Sequence, residues 1–282
     1  WMVGREVIMT RELEDVERGE ARLVLENVSC DSDRGTPALR DVSLNVHAGE
    51  ILGLAGISGN GQRELAEAVT GLRPVTKGRV LLEDEDVTHF RPGEVTERML
   101  SYIPEERMRD GMIKDFSISE NMVLREHHIS PFAEKGFLML KTIAKHSDNL
   151  IEKFSVKTPS RETKAGSLSG GNIQKVVLAR EISRNPRVLL AAQPTRGLDV
   201  GATEYVHAQL LEQRKNGTAI MMVSEDLDEV MALSDRIAVI CEGEIMGIVP
   251  RNEATPQKLG LMMAGVVPEE EEEEARTTSF TL

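Results

Sequence analysis

Apolar residues along the chain follow two spacings, one typical of strands and one typical of helices. Near the start, residues 22–30 and 42–47 alternate apolar and polar positions, which predicts two half-buried strands around a turn-rich segment, 31–37. From residue 50 onward, short apolar runs alternate with segments of helical spacing. Strands that alternate with helices of about 10–15 residues predict a mostly parallel sheet with both faces covered.

The same spacings predict the elements of the remaining chain. Strands are expected at 50–56, 79–83, 188–192, 219–223 and 237–241, and helices at 62–71, 173–184, 203–216 and 226–233. Between them, residues 107–164 carry Leu, Met and Ile at helical intervals among many charges, with prolines at 131 and 159. This middle segment is predicted to be a helical insert, and the fold class is α/β.

Composition and charge narrow the class of protein. The 282 residues include 34 basic and 47 acidic side chains, a net charge of −13, and six of the acids form the run Glu269–Glu274. The rest of the chain is mildly acidic, which argues against binding nucleic acid through a wide basic face. Aromatic residues are 3%, so the core must be aliphatic. No apolar run approaches the roughly 18 residues of a membrane span.

The cysteines and the chain start suggest a reducing compartment and a longer parent protein. Cys30 and Cys241 form neither a disulfide framework nor a metal-binding spacing, which favours two thiols in a reducing compartment. The polar start, residues 1–6, lacks an initial Met and the features of a signal peptide. We therefore interpret the chain as a fragment of a longer polypeptide or a processed product.

The clearest candidate for chemistry is the segment 56–63. It follows the frame G-x-x-x-x-G-K-[ST] of a phosphate-binding loop between a predicted strand and a predicted helix. Its glycines allow backbone N–H groups to converge on phosphate oxygens, and the helix dipole adds to them. The alternative is a glycine turn that only joins a strand to a helix. The candidate nucleotide-binding residues are Gly56, Ser58, Gly59, Asn60, Gly61, Gln62 and Arg63.

Three further segments favour the phosphate loop. A Leu-Ser-Gly-Gly-Asn stretch followed by Ile and Gln opens a predicted helix, and its candidate residues are Leu168, Ser169, Gly170, Gly171, Asn172 and Gln174. Residues 187–199 end an apolar run in Ala-Gln-Pro-Thr and continue to Gly-Leu-Asp. Residues 222–227 follow the next predicted strand. In this order and spacing, residues 22–265 resemble the ATP-binding-cassette (ABC) ATPases.

The resemblance implies a fold and a domain division. The fold is an ABC-type P-loop NTPase fold with a mixed core sheet, an antiparallel β subdomain and a helical insert. The implied division is an inter-cassette linker at 1–20, a nucleotide-binding domain at 21–265 with its insert at about 107–165, and an acidic, disordered tail at 266–282.

Local stretches narrow the resemblance to one branch of the family. Residues 102–112, with Pro-Glu-Glu-Arg, resemble the second cassette of two-cassette importers for nucleosides, ribose and related sugars. Residues 2–5 resemble the linker between the cassettes, and residues 191–202 most resemble the nucleoside branch. The chain is therefore expected to be the C-terminal cassette of a longer subunit.

The resemblance also implies that several chemical groups are replaced. Gln62 stands where the family has the phosphate-neutralising lysine, and Arg63 where it has the hydroxyl that ligates Mg²⁺. Ala192 replaces the Asp of the Mg²⁺ shell, Gln193 the Glu that polarises water, and Glu225 the His that contacts the γ-phosphate. No competent catalytic residue and no metal are expected at this site. ATP binding there is expected to be weak or absent, with Mg²⁺ only at the partner cassette's site.

An ATP site in this family forms between two cassettes, so the resemblance implies partners. Residues 168–174 are expected to face the site of the N-terminal cassette of the same polypeptide, or of a second copy. Asp199 is expected both at the cassette interface and as a helix N-cap. Glu105 is expected at the joint between the core and the insert, which senses nucleotide in the family, and it is included among the nucleotide-binding residues. Permease subunits, and indirectly a substrate-binding protein, are further expected partners at the cytoplasmic face of the membrane.

The expected function is energy coupling in a nucleoside or sugar importer, with two alternatives. A cassette protein of translation or repair is disfavoured by the acidic balance, and nucleic acid is not an expected partner. A regulatory module that no longer binds nucleotide stays open. A dinucleotide site is excluded, because the glycines run G-x-x-G-x-G and no acid follows at the right distance.

Two smaller predictions concern the start of the insert. Residues 112–116 are predicted to contact the permease, with Phe116 as plain core the alternative, and Ser119 is predicted to cap the next helix.

Overall fold

The structure is a computed structural model that describes Glu14 and residues 16–266. The linker-like residues 2–5 and the acidic run Glu269–Glu274 lie outside the described residues, so the predictions for them stay untested.

The described chain contains two larger sheets, a short hairpin and eight α-helices. The strands are β1 (Ala21–Asp31), β2 (Pro37–His47), β3 (Ile51–Ala55), β4 (Lys77–Leu82), β5 (Glu85–Asp86), β6 (Leu100–Ile103), β7 (Ala133–Glu134), β8 (Phe137–Leu138), β9 (Val188–Ala192), β10 (Ala219–Val223), β11 (Arg236–Cys241) and β12 (Glu244–Pro250). The helices are α1 (Gln62–Val69), α2 (Pro92–Glu97), α3 (Ile118–Met122), α4 (Leu140–Lys153), α5 (Gly170–Ile182), α6 (Val200–Lys215), α7 (Leu227–Leu233) and α8 (Pro256–Met263).

The core sheet has six strands in the order β12-β11-β3-β10-β9-β6. Five of them are parallel, and β12 adds an antiparallel edge. Every residue of β3, β9 and β10 is buried. This explains why their sequences are continuous apolar runs rather than alternating ones.

Successive residues of the core strands point to opposite faces, and each face has its own cover. On one face, Leu189 and Ile220 pack in a cluster with residues of α5, α7 and α8. On the other, Leu190 and Met221 pack with α1 and with the sheet β2-β1-β4-β5. The second cover is thus largely an antiparallel sheet. The predicted fold class, with its mixed core sheet, antiparallel β subdomain and insert, is confirmed.

Element prediction succeeded where strands are buried on both faces. The strands at 188–192 and 219–223 have the predicted bounds. The patterns missed α2, β6, β12 and α8, and also β7 and β8 within the insert. The two strands of that hairpin have two residues each, and Lys135 and Gly136 between them have positive φ angles of 51° and 84°. Positive φ at both turn residues is typical of a two-residue β-hairpin turn. The hairpin was not predicted because strands of two residues are too short to show an alternating apolar and polar pattern.

The start of the insert corrects two residue assignments. Ser117, not Ser119, caps α3: its hydroxyl accepts from the Glu120 N–H at 3.1 Å. Ser119 is buried within the helix and bonds Ser147, so its predicted capping role was wrong. Phe116 is 40% exposed, which rules out the alternative that it is plain core, while Met112 is buried. The permease contact predicted for residues 112–116 stays a prediction.

Candidate functional site

The phosphate loop connects the buried strand β3 to helix α1, as the sequence predicts. Two of its glycines are required by close approach. A Cβ on Gly56 would lie 2.7 Å from the Ile240 carbonyl oxygen, and Gly61 has φ 107° and lies against the Ala38 carbonyl. Gly61 is also the N-cap of α1, so the helix begins directly at the loop. The loop therefore has the compact backbone that its glycine spacing predicts.

The Gln62 side chain fills the inside of this loop. Its Nε2 donates to the Ile57 carbonyl at 2.9 Å, and its Oε1 accepts from the Asn60 N–H at 3.1 Å. The residue is 9% exposed. A neutral amide therefore occupies the position at which the family has a positively charged lysine. This amide also uses the Asn60 N–H, one of the backbone donors of the loop.

Arg63, at the next position, is held by acids of the protein itself. Its Nε donates to Glu67 Oε1 at 2.7 Å, and this hydrogen bond raises the pKa of the Arg63 guanidinium. Glu67 also pairs with Arg73, whose Nη2 lies 2.6 Å from Glu67 Oε2. The same nitrogen lies 2.7 Å from Asp33 Oδ1. The Arg63 charge is thus balanced within a four-residue ion-pair cluster.

The loop forms one wall of a cleft, here called the loop cleft. The structure brings the predicted residues Ser58, Gly59, Gln62, Arg63, Glu105, Ala192, Gln193 and Glu225 together around it. Sequence reasoning missed Glu67, Tyr102, Glu106, Arg109 and Asp110, which also line it. The density of charges in residues 105–110 was the available signal. Five carboxylates and two arginines line the cleft, and both arginines are paired with acids.

The carboxyl ends of β9 and β10 form the floor of the loop cleft. Gln193 follows β9 with φ 47°, and its N–H donates to the Val223 carbonyl at 2.8 Å. Its Oε1 accepts from the Glu225 N–H at 3.3 Å. Ala192 offers only a methyl group. The side chain of Gln193 therefore bonds the segment after β10.

The residues of the loop cleft do not fit a Mg²⁺–phosphate pair. Mg²⁺ requires oxygen ligands in octahedral geometry, and the positions assigned to it carry Ala192 and Arg63. Within the described ranges, no group of three or more His, Cys, Asp or Glu side chains is arranged to hold a metal ion. The exposed Glu225 lies where the resemblance assigns a phosphate contact.

Glu105 connects the loop cleft to the segment that precedes α6. The Arg196 guanidinium forms an ion pair with Glu105 and lies 3.7 Å from Glu106. In return, Arg107 donates from Nη1 to the Arg196 carbonyl at 2.6 Å. Two crossed contacts therefore tie the start of the insert to the loop that contains Asp199.

No residue of the Leu-Ser-Gly-Gly-Asn segment lines the loop cleft. Ser169 is the exposed N-cap of α5, and its Oγ accepts from Asn172 at 3.0 Å. Leu168 packs against the core. The Gln174 side chain is 2% exposed and donates to the Pro194 carbonyl at 2.7 Å. Gln174 therefore joins α5 to the loop after β9, and the accessible part of the segment is 169–172.

Asp199 caps helix α6, as predicted: its Oδ1 accepts from the Ala202 N–H at 2.9 Å. A Cβ on Gly171 would lie 3.3 Å from Ala202, so α5 and α6 begin next to each other. Asp199 and the Ser169 segment therefore lie in one region of the surface.

A buried carboxylate that sequence reasoning missed lies beneath this region. Glu229 is 6% exposed, and its Oε1 accepts from Thr195 at 2.7 Å and lies 2.8 Å from His207 Nε2. Burial raises the pKa of Glu229, but hydrogen bonds, that of His207 first, outweigh burial and hold the pKa below its usual range. The contact joins α7, which follows Glu225, to the loop after β9.

Comparison with known sequences finds a matching family model and similar proteins. A family model described as ABC transporter matches residues 39–196. The guanosine import ATP-binding protein NupO of Bacillus subtilis (strain 168) is 46% identical over 269 residues, which cover 95% of this chain and 53% of that protein. The nucleoside import ATP-binding protein NupA of Lactococcus lactis subsp. cremoris (strain MG1363) is 43% identical, with 94% and 52% covered. The chain spans about half the length of the curated relatives it matches.

Solved structures agree on the fold. An ATP-binding cassette of an ABC transporter superposes with a TM-score of 0.72 at 22% identity, covering 87% of this chain and 98% of that one. A dimeric bacterial ABC transporter cassette superposes with a TM-score of 0.69 at 24% identity, covering 81% of this chain and 98% of that one.

The described residues contain no helix long and apolar enough to cross a membrane.

Proposed function

The chain belongs to the ABC transporter family, and on that premise we propose that it is an energy-coupling ATP-binding cassette of an importer for nucleosides or simple sugars. The names of its relatives support this cargo class, since they are import ATP-binding proteins for guanosine, nucleosides, glucose and ribose. Because the matches cover about half of those proteins, we take the chain to be one cassette of a two-cassette subunit. Its proposed partners are the other cassette or a second copy, permease subunits and, indirectly, a substrate-binding protein, at the cytoplasmic face of the membrane.

We further propose that this cassette's own site does not hydrolyse ATP. The observation that carries this is the charge of the loop cleft, which is lined by five carboxylates and two arginines. Both arginines are paired with acids of the lining, and Arg196 from outside the lining pairs with Glu105 and approaches Glu106. The carboxylate of Glu225 is left without an arginine partner among the described residues. Phosphoryl transfer depends on positive charge around the phosphates, and the loop cleft offers the opposite. Glu225 would repel a γ-phosphate, and Gln62 supplies no charge to offset it.

The cassette's proposed contribution is its exposed segment 169–172. The first residues of α5 present backbone N–H groups at a helix N-terminus, which favours phosphate binding. In the proposed assembly these groups bind the ATP of the partner cassette, where Mg²⁺ is also bound. Asp199, next to this segment, lies at the same cassette interface.

Turnover by the isolated chain tests the inactivity proposal. Steady-state phosphate release from ATP and Mg²⁺ is expected to stay at the background of a no-protein control, for the wild type and for Gln193→Ala alike. Turnover above background that Gln193→Ala abolishes would contradict the proposal, because it would assign Gln193 a catalytic role.

A regulatory module without nucleotide is the second candidate, and the filled interior of the loop favours it. Gln62 engages the Asn60 N–H and the Ile57 carbonyl of the loop. Titration of the chain with ATP in EDTA separates the two functions. Saturable binding at millimolar ATP supports a cassette that holds nucleotide as a structural element, and no binding supports the regulatory module.

A further inference from the structure

The hairpin of the insert presents the densest group of exposed apolar side chains in the described structure. Five of the eleven large apolar side chains that are exposed there lie in the hairpin or close to it in sequence: Ile129, Phe137, Leu138, Met139 and Leu140. Phe137 and Leu140 are 77% and 70% exposed. The four consecutive residues 137–140 are here called the apolar tip. Contiguous exposed apolar residues of this kind mark a contact site rather than ordinary surface scatter.

The apolar tip stands on a small core of its own. Val123, Phe132 and Ile143 form a separate buried cluster beneath it, and the Met139 N–H donates to the Phe132 carbonyl at 2.8 Å. The Phe132 ring also packs edge-on against His146, with centroids 4.8 Å apart. The tip is therefore held outward by packed structure, and its exposure is not a consequence of missing neighbours in the fold.

The geometry of the apolar tip indicates what kind of partner can cover it. Phe137 and Leu138 are successive residues of β8 and so point to opposite faces of the hairpin, yet both are more than half exposed. A flat protein surface would cover one face and leave the other in water. A fluid apolar medium would surround both faces at once.

The charges around the apolar tip are basic, in contrast to the rest of the chain. Between His127 and His146 there are three lysines and one acid, Glu134, while the whole chain carries a net charge of −13. Lys135 and Lys141 flank the tip, and Lys145 lies one helical turn beyond Lys141. All three are exposed, and none has an ion-pair partner among the described residues. Apolar residues flanked by free lysines are the chemistry that binds a bilayer surface with anionic lipids.

We propose that the insert hairpin is a membrane-surface anchor. Its apolar tip enters the boundary between head groups and acyl chains, and Lys135, Lys141 and Lys145 contact lipid phosphates. This membrane contact requires neither nucleotide nor the permease, so it can be tested separately from the proposed transport function.

Vesicle binding by the 282-residue chain tests this anchor. Flotation with vesicles of phosphatidylcholine and phosphatidylglycerol (about 3:1) is expected to recover the chain at low salt, with recovery falling as salt rises. Phe137→Ser with Leu140→Ser is expected to lower the partition coefficient by about tenfold or more, because two large apolar side chains no longer enter the boundary. Leu72→Ser, at a similarly exposed residue outside the insert, is the control and should leave binding unchanged.

The lysines and the depth of insertion are tested separately. Lys141→Glu with Lys145→Glu should abolish the preference for phosphatidylglycerol, while Lys77→Glu, outside the insert, should not. In a Trp1→Phe background the chain has no other tryptophan, so Phe137→Trp places a unique fluorophore at the tip. Its emission should shift to the blue with vesicles and be quenched by brominated acyl chains, whereas Leu72→Trp should show neither change.

Three results would overturn the anchor. One is a chain that does not float with phosphatidylglycerol vesicles at low salt. Another is equal loss of binding in the apolar-tip variant and in Leu72→Ser. The third is a Phe137→Trp emission that shifts only when purified permease is added, which would assign the tip to a protein partner.

Discussion

At the scale of single residues, Gln62 holds the phosphate loop closed through two hydrogen bonds to the loop's own backbone. Gln62→Ala removes both bonds from a nearly buried position. We expect a loss of about 1–3 kcal/mol in the free energy of unfolding, measured by urea denaturation. An alanine variant as stable as the wild type would show that the side chain does not support the loop.

The buried Glu229 carboxylate gives a second prediction at this scale, with a pH dependence. Its pKa in the folded state lies below the ordinary value of 4.5. Ionised Glu229 therefore stabilises the fold above that value, and the contribution is lost as pH falls through the lower folded pKa.

Glu229→Gln should accordingly be less stable than the wild type by about 1–3 kcal/mol at pH 7, and the difference should shrink as pH is lowered from about 6 towards 3. Urea denaturation of both proteins at several pH values measures it. Glu225→Gln, at the exposed surface, is the matched control and should show no such trend. A gap for Glu229→Gln that is constant or widens at low pH would contradict the assigned role.

Residue identities at the candidate site could be predicted from the motif frame, but their partners could not. The resemblance to the cassette ATPases located Gln62, Ala192, Gln193 and Glu225, and the structure brings them to one cleft. The pairing of Glu229 with Thr195 and His207 depends on two helices and a loop that approach only in the folded chain. No local pattern carries that information.

At the scale of elements, the capping box at Ser117 fixes the first helix of the insert. The Ser117 hydroxyl accepts from the Glu120 N–H, and the Ser117 N–H donates to the Glu120 carboxylate at 2.7 Å. Ser117→Ala should cost about 1 kcal/mol and lower the melting temperature, measured by circular dichroism. Ser117→Thr should restore most of the loss. A Thr variant as unstable as the Ala variant would contradict the capping role.

Elements were predictable in proportion to their burial. Strands β9 and β10 are buried on both faces, so their apolar runs stand out in the sequence. The edge strand β12 is mostly half-buried, and the insert hairpin is too short for a period. The sequence predicts Ser119 as the N-cap of a helix that starts at Glu120, yet the cap in the structure is Ser117, two residues earlier. At the edge strand, the hairpin and this helix start, the local sequence pattern was ambiguous, and tertiary packing determines the structure.

At the scale of the whole molecule, the chain combines a cassette fold with a loop cleft that is lined by more carboxylates than arginines. The acidic loop cleft, the exposed segment 169–172 and the basic hairpin lie on different elements of one α/β domain. Since hydrolysis is proposed to occur only at the partner cassette's site, the two ATP sites of the assembled transporter should respond differently to mutation.

ATP hydrolysis by the two-cassette subunit, assembled with its permease in vesicles, tests the central claim most directly. Ser169→Arg places a bulky charge at the exposed segment and should lower the ATPase rate on the order of 100-fold. Gln193→Ala, in this chain's own loop cleft, should leave the rate unchanged. The opposite pattern, with activity lost in Gln193→Ala and kept in Ser169→Arg, would contradict the account.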